Sequence, residues 1–211
     1  MELLDSIKEK AKSFNKRIVL PEGYEERTIK AADIAIEEGL AQIILIGDPA
    51  EIKSHSEKLG LKNIGKATVV DPRSHAKKSH YIDMMVEMRK HKGMTEEEAS
   101  RLIEDPLYLG VLMIKNGDAD GEVSGADHAT GDVLRPAFHY IKTAPGISVV
   151  SGAFIMIVKN KAFGDNGVLI FADGGVHPDT TDKELAEIAV ASGRTAKVLA
   201  GIEPRVALLS F

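Results

Sequence analysis

The chain has 211 residues, 27 Lys+Arg against 32 Asp+Glu for a formal charge of −5, and is 44% apolar and 28% charged. This is the composition of a folded globular protein and excludes a disordered, collagen-like or membrane-embedded chain. An acidic balance without a basic block argues against sequence-independent nucleic-acid binding, and the lack of cysteine excludes a disulfide framework, a zinc–thiolate site and a protein thiol nucleophile in these residues.

Residues 1–14 (MELLDSIKEKAKSF) read as an amphipathic helix of mixed charge, unlike a signal peptide. No run approaches the roughly 20 apolar residues of a membrane span, so neither a membrane partner nor an export route is expected and the location is taken as cytoplasmic. Short apolar runs then alternate with helical stretches: strand 17–20, helix 25–38, strand 42–46, helix 50–59 and strand 66–70. That is a βαβαβ opening. Continuous apolar strands such as Ile43-Ile44-Leu45-Ile46 suit a parallel sheet covered on both faces by crossover helices, which makes the fold class α/β. Gly39 stands where a helix C-terminus places glycine, and Asp48-Pro49 is a cap followed by proline in the first turn.

The pattern over 73–116 is helical, broken at Gly93 and restarted by Thr95 ahead of Glu96, Glu97 and Glu98, with a further helix over 107–115. Residues 117–132 (GDADGEVSGADHATGD) are glycine-rich and poor in large apolar side chains, predicting strand and loop near the surface. A helix is expected over 133–141. Lys142-Thr143-Ala144-Pro145-Gly146 reads as a boundary, giving a first α/β domain over 1–145 and an incomplete second one over 146–211. In the second, strands are predicted over 147–158 and 168–171, and a helix over 182–199 capped by Thr181. The last run, 205–211, has the look of a buried parallel strand in which the chain stops.

Candidate chemistry concentrates in the glycine-rich loop. Gly121, Gly125 and Gly131 let backbone approach a ligand, Ser124 and Thr130 offer hydroxyls, and the amides opening the next helix favour anions. Arg135, one turn on, is able to grip phosphate in two-pronged fashion. The spacing matches neither a dinucleotide fingerprint nor a P-loop, and such a loop is equally an ordinary turn. Arg89, in the cluster Met88-Arg89-Lys90-His91-Lys92, either compensates a helix C-terminus or binds an anion. Asp173 follows an apolar strand, at a place for a ligand contact or a turn-forming Asp-Gly pair. His128 is a candidate general base or phosphate partner. His75, His80 and His91 lie on helical surfaces without ligand spacing, so no metal site is expected.

The strings GDADGEVSGADHATGDVLRPAFHYIKTAPGISVVSGAFIM and FADGGVHPDTTDKELAEIAVASGRTAKVLAGIEPRVALLSF closely resemble the phosphate acetyl/butyryl transferase family, and the likeness extends to KRIVLPEGYEERTIKAA and MRKHKGMTEEEA. The resemblance implies phosphate acetyltransferase activity, acetyl-CoA plus phosphate against acetyl phosphate plus CoA. It implies a two-domain α/β fold like that of the isocitrate and isopropylmalate dehydrogenases, usually as a homodimer. No cofactor is implied; CoA and acetyl-CoA are substrates, alongside phosphate and acetyl phosphate. By position, Arg89 and Arg135 match arginines used for the anionic substrates, and Ser124 and Thr130 match the loop lining the cleft; Gly125, His128 and Asp173, candidates from the residues themselves, complete the expected substrate-binding set. The family's catalytic Ser-Arg pair and nearby Asp are expected beyond Phe211, making this the N-terminal portion of such an enzyme. Without a cysteine, direct attack of the CoA thiolate in a ternary complex is expected rather than a protein thioester. The alternatives are a phosphate butyryltransferase and a noncatalytic module binding acyl-CoA or acetyl phosphate.

Overall fold

The computed structural model describes residues 3–177 and 179–209. The chain separates into two compact units, Met1–Lys142 and Thr143–Phe211.

In the first unit, β1 (Arg17–Leu20), β2 (Gln42–Ile46), β3 (Thr68–Val70) and β4 (Gly121–Glu122) form a parallel sheet in the order β3-β2-β1-β4. The period of two along the strands sorts their side chains onto two cores. Leu20, Ile43 and Leu45 pack with Ile29, Ala32, Ile52 and Ile64 on the face covered by α2 (Glu26–Glu37) and α3 (Pro49–Lys58). Val19, Ile44 and Ile46 pack on the other face with Tyr81, Met85, Ile103, Leu109, Leu112 and Tyr140. These come from α4 (Lys78–Arg89), the residue after α5 (Glu96–Leu102), α6 (Pro106–Lys115) and a π-helical turn over Ala137–Ile141. Both faces are apolar, as the continuous strand Ile43-Ile44-Leu45-Ile46 requires. The leading helix α1 (Leu3–Phe14) has no buried residue, and its Lys8 lies 2.6 Å from Glu38.

The helix boundaries follow local chemistry. Asp48, Thr95 and Asp105 each accept a backbone N–H at the start of α3, α5 and α6. In the first unit three predicted boundaries shift by two or more residues. Residues 73–77 turn rather than coil into a helix, because the Asp71 carboxylate accepts from the Arg73 amide at 2.9 Å and from Arg73 Nε at 3.0 Å. The strand predicted over 66–70 begins at Thr68, after a 3₁₀ turn over Ile64–Lys66. The helix predicted over 133–141 is α7 (Thr130–Pro136) followed by the π turn, so it starts three residues nearer the glycine loop.

The second unit departs further from expectation. Its strands β5 (Ala153–Ile157) and β6 (Val168–Ala172) pair antiparallel, Ala153 opposite Ala172 and Ile157 opposite Val168. A parallel pair needs a crossover of a dozen or more residues, whereas this connection closes at once, Val158 N–H donating to the Gly167 carbonyl at 2.8 Å. The parallel core is therefore confined to the first unit. Helix α8 (Asp182–Thr195) starts at Thr181 with a reciprocal capping box to Glu184. Residues 205–209 form no strand, contrary to the buried strand expected there: Val206 is 56%, Leu208 61% and Leu209 85% exposed. A strand's apolar run needs a ladder partner to bury it, and none pairs with it among the described residues; Ser210 and Phe211 lie outside them. Among the described residues no helix is long and apolar enough to cross a membrane.

Candidate functional site

The strand order β3-β2-β1-β4 reverses direction between β1 and β4, and open α/β sheets bind ligands outside the carboxyl ends of the strands at such a reversal. The two segments that leave the sheet there, 21–25 after β1 and 123–129 after β4, are bound together through Glu22. This glutamate is 1% exposed. Its Oε2 accepts from the amides of Gly125 at 2.9 Å and Ala126 at 2.8 Å. Its Oε1 accepts from those of Asp127 at 2.7 Å and His128 at 3.0 Å, and lies 2.8 Å from His128 Nδ1. Burial alone pushes this carboxyl upward, but the Asp127 amide, the His128 ring and the Ala126 and Gly125 amides together hold it at about 2, so it is an anion.

Around this clamp the loops are tied further. Tyr24 Oη donates to Asp127 Oδ2 at 2.9 Å, and burial followed by that carboxylate pushes the phenol up to about 12. Arg27 Nη2 donates to the Ala126 carbonyl at 2.5 Å. Two glycines are required by geometry. A Cβ on Gly23 would stand 2.5 Å from the Ile46 carbonyl oxygen, and Gly125 has φ +100°, a left-handed backbone.

The predicted site residues occupy distinct roles. Gly125 and His128 belong to the Glu22 clamp, with the backbone amides of 125–128 turned inward to that carboxylate. What the loop presents to a ligand is therefore its side chains and the first amides of α7, where Thr130 is exposed. Ser124 Oγ donates at 3.0 Å to Glu122 Oε1. Arg135, in the last turn of α7, is exposed and pairs with Asp132 at 3.1 Å. Arg89 ends α4 with its guanidinium 5.9 Å from the Tyr140 ring centre, a cation–π approach, and its Nε is buried without a hydrogen-bond partner among the described residues.

Arg89 and Arg135 lie 46 residues apart in sequence. Their positive charges both bear on the Tyr108 phenol and on the His139 ring. Burial lowers the His139 imidazole, and the two guanidiniums lower it further. Burial also raises the Tyr108 phenol, against the pull of Arg135 and Arg89. Tyr108 and Tyr140 meet edge-on with ring centres 6.3 Å apart. Arg89 thus lies against the Tyr140 ring and both guanidiniums act on Tyr108 and His139, cationic chemistry suited to an anion.

Asp173 belongs to the second unit and acts there on backbone. Its Oδ1 accepts from Gly152 N–H at 2.7 Å, and its Oδ2 from Val176 at 3.1 Å and His177 at 2.6 Å. Burial raises this carboxyl, and the His177, Gly152 and Val176 amides outweigh it to leave it lowered. The turn-forming reading of Asp173 describes what the carboxylate holds.

Sequence reasoning passed over Glu22, Glu122, Tyr108 and Tyr140. For the two glutamates a signal was available: each is an acid at the carboxyl end of an apolar or glycine-flanked strand, where a solvated surface charge is not expected. The tyrosines carried none, since an aromatic on a helix reads first as core.

An α/β unit with its loops joined at the strand reversal, and a chain-wide match to a family model, define the class of protein. The chain belongs to the phosphate acetyl/butaryl transferase family, whose model matches residues 2–211. It is 53% identical over all 211 residues to the phosphate acetyltransferase of Thermoanaerobacterium thermosaccharolyticum, covering 63% of that protein. It is 43% identical over 203 residues to that of Escherichia coli, covering 96% of this chain and 27% of the relative. Among solved structures it resembles a phosphotransacetylase from Streptococcus pyogenes, with TM-score 0.91 and 41% identity over 99% of this chain and 61% of that one. The chain thus spans at most about two thirds of the length of these relatives, 63% of the first.

Proposed function

We propose that the protein carrying this chain is a phosphate acetyltransferase, interconverting acetyl-CoA and phosphate with acetyl phosphate and CoA. The observation that carries the reading is the match of the chain to this family, with Arg89 against Tyr140 and Arg135 on the helix that follows the Ser124–Thr130 loop. Arg135, Ser124 and Thr130 hold the phosphate group, and Arg89 takes a second anionic oxygen of phosphate or of CoA. His128 and Gly125, set by Glu22, shape the loop; Asp173 holds the 173–177 turn of the second unit.

In the direction of thioester formation the CoA thiol loses its proton, and a sulfur lone pair attacks the carbonyl carbon of acetyl phosphate. The new C–S bond forms a tetrahedral oxyanion, which collapses by breaking the bond to the phosphate oxygen and expelling phosphate. Guanidiniums suit both demands on charge here, the phosphate leaving group and the oxyanion. A thiol ordinarily titrates near 8.5, so its activation is a separate requirement. The 211 residues contain no cysteine, which favours direct transfer over a protein thioester.

The homodimer, the cytoplasmic location, the dehydrogenase-like two-domain arrangement and a catalytic Ser-Arg and Asp segment beyond Phe211 belong to the same proposal, on the strength of the family. Steady-state thioester formation by the full gene product, with acetyl phosphate and butyryl phosphate compared, tests it. Acetyl phosphate is expected to be preferred, and Arg135→Ala to lower kcat/KM by about a hundredfold or more. A preference for butyryl phosphate replaces the acetyl reading. Full activity in the Arg135 variant removes that residue from the site.

A further inference from the structure

At the foot of the glycine-rich loop lies a carboxyl group that the reading above does not use. Glu122, on β4, has Oε1 3.0 Å from Ser124 Oγ. Its other oxygen, Oε2, is buried with no hydrogen-bond partner among the described residues. That oxygen points at α6, where a Cβ on Gly110 would stand 2.3 Å from it and 3.2 Å from Val19 Cγ1, so the carboxyl fills a space left by glycine. The charged groups that bear on Glu122 are Glu22, from the loop after β1, and Asp105, at the start of α6; both are acidic.

A serine hydroxyl has a single hydrogen to donate. An ionised carboxylate only accepts, and so do the unprotonated oxygens of a bound phosphate group. The two therefore compete for the one hydrogen of Ser124. A protonated Glu122 ends the competition. Its proton has no acceptor beside Oε2, whereas on Oε1 it faces Ser124 Oγ, so the carboxyl becomes the donor and the serine hydrogen turns outward.

We propose that Glu122 is a positioning residue that sets the direction of the Ser124 hydroxyl: in its acid form it donates to Ser124 Oγ and releases the serine hydrogen to the bound phosphate group, and in its ionised form it withdraws it. The proposal rests on the loop holding phosphate, as read above. Burial, with the charges of Glu22 and Asp105 acting in the same sense against the Ser124 hydrogen bond, pushes Glu122 up to about 7, where both forms are populated near neutrality.

The experiment is calorimetric titration of the full-length protein with inorganic phosphate at about pH 6 and about pH 8, in the wild type, Glu122→Gln and Ser124→Ala. The glutamine side chain does not ionise, so the Glu122→Gln profile records only the ionisation of phosphate itself and of other groups. Relative to that profile, wild-type affinity is expected to fall by about tenfold across the range, following the fraction of acid form. Ser124→Ala is expected to bind like the wild type at high pH and to show no such fall, which keeps the test available if the glutamine variant does not fold. Parallel profiles for the wild type and the variants overturn the role of Glu122 and leave the phosphate site standing. Absence of phosphate binding in every protein overturns both.

Discussion

Glu22 and His128 stand 106 residues apart in the chain and 2.8 Å apart in space, Oε1 of the one against Nδ1 of the other. The contact exists because β1 and β4 are parallel neighbours, Ile18 opposite Gly121 and Val19 opposite Glu122, so that the loops leaving them start side by side. One buried carboxylate then satisfies four successive backbone amides, which are otherwise left without partners in a loop that forms neither helix nor sheet.

Glu22→Ala is expected to cost about 3 kcal/mol of unfolding free energy, because it strands several donors in a part-buried loop. Urea unfolding of the variant checks this, and a loss below about 0.5 kcal/mol removes Glu22 as the organiser of the loop. Because the Glu22 carboxyl is held at about 2 against an ordinary 4.5, its contribution is complete above about pH 4.5 and is lost as the pH falls towards 2. Wild-type stability should therefore drop more steeply than that of the alanine variant over this window.

Glu122 has the opposite sign. Its carboxyl is raised from 4.5 to about 7, so the folded state binds a proton that the unfolded state has released, and stability falls as the pH rises between those values. Glu122→Gln is expected to be the more stable protein at about pH 8, by about 1–3 kcal/mol, with the gap narrowing at about pH 4.5. Melting temperatures of the two proteins at both pH values decide it; a gap independent of pH contradicts the assignment.

The Tyr140 hydroxyl is buried without a hydrogen-bond partner among the described residues, and the ring is fully buried against Tyr108 and Arg89. Tyr140→Phe keeps the ring and removes the unpaired hydroxyl. It is expected to leave stability within about 0.5 kcal/mol of the wild type, or to raise it by up to about 1 kcal/mol. A loss of about 2 kcal/mol in thermal or urea unfolding shows that the hydroxyl has a partner.

At Arg89 the fork and the charge are separable. Arg89→Ala is expected to lower kcat/KM for thioester formation by about a hundredfold, and Arg89→Lys to recover only part of it, since lysine keeps the charge but neither stacks on Tyr140 nor presents paired donors. Full rescue by lysine reduces the residue to a point charge. Circular dichroism of both variants separates loss of fold from loss of function.

What the sequence determined by itself is local. The apolar run in 42–46, the caps at Asp48, Thr95 and Thr181, and Gly39 after its helix depend on residues a few positions apart, and these features stand where they were expected. The parallel arrangement of the first unit also follows from its spacing, because helices lie between its strands. Arg89, Ser124, Thr130 and Arg135 were legible as candidates because their residue types fit anions. Their surroundings were not, since the Tyr140 ring under Arg89 comes from the π turn, 51 residues further along the chain.

The tertiary structure alone decided the rest. It turned the strands of the second unit antiparallel, because a short closed connection carries no crossover. It left 205–209 unpaired, since an apolar run has the capacity for a strand but acquires one only from a neighbour. It turned the amides of 125–128 onto Glu22 and left Glu122 half-satisfied against Gly110, two outcomes set by which strands lie side by side. Backbone pattern is written in short stretches of sequence, whereas the ionisation and hydrogen-bond direction of a buried carboxyl are properties of everything folded around it.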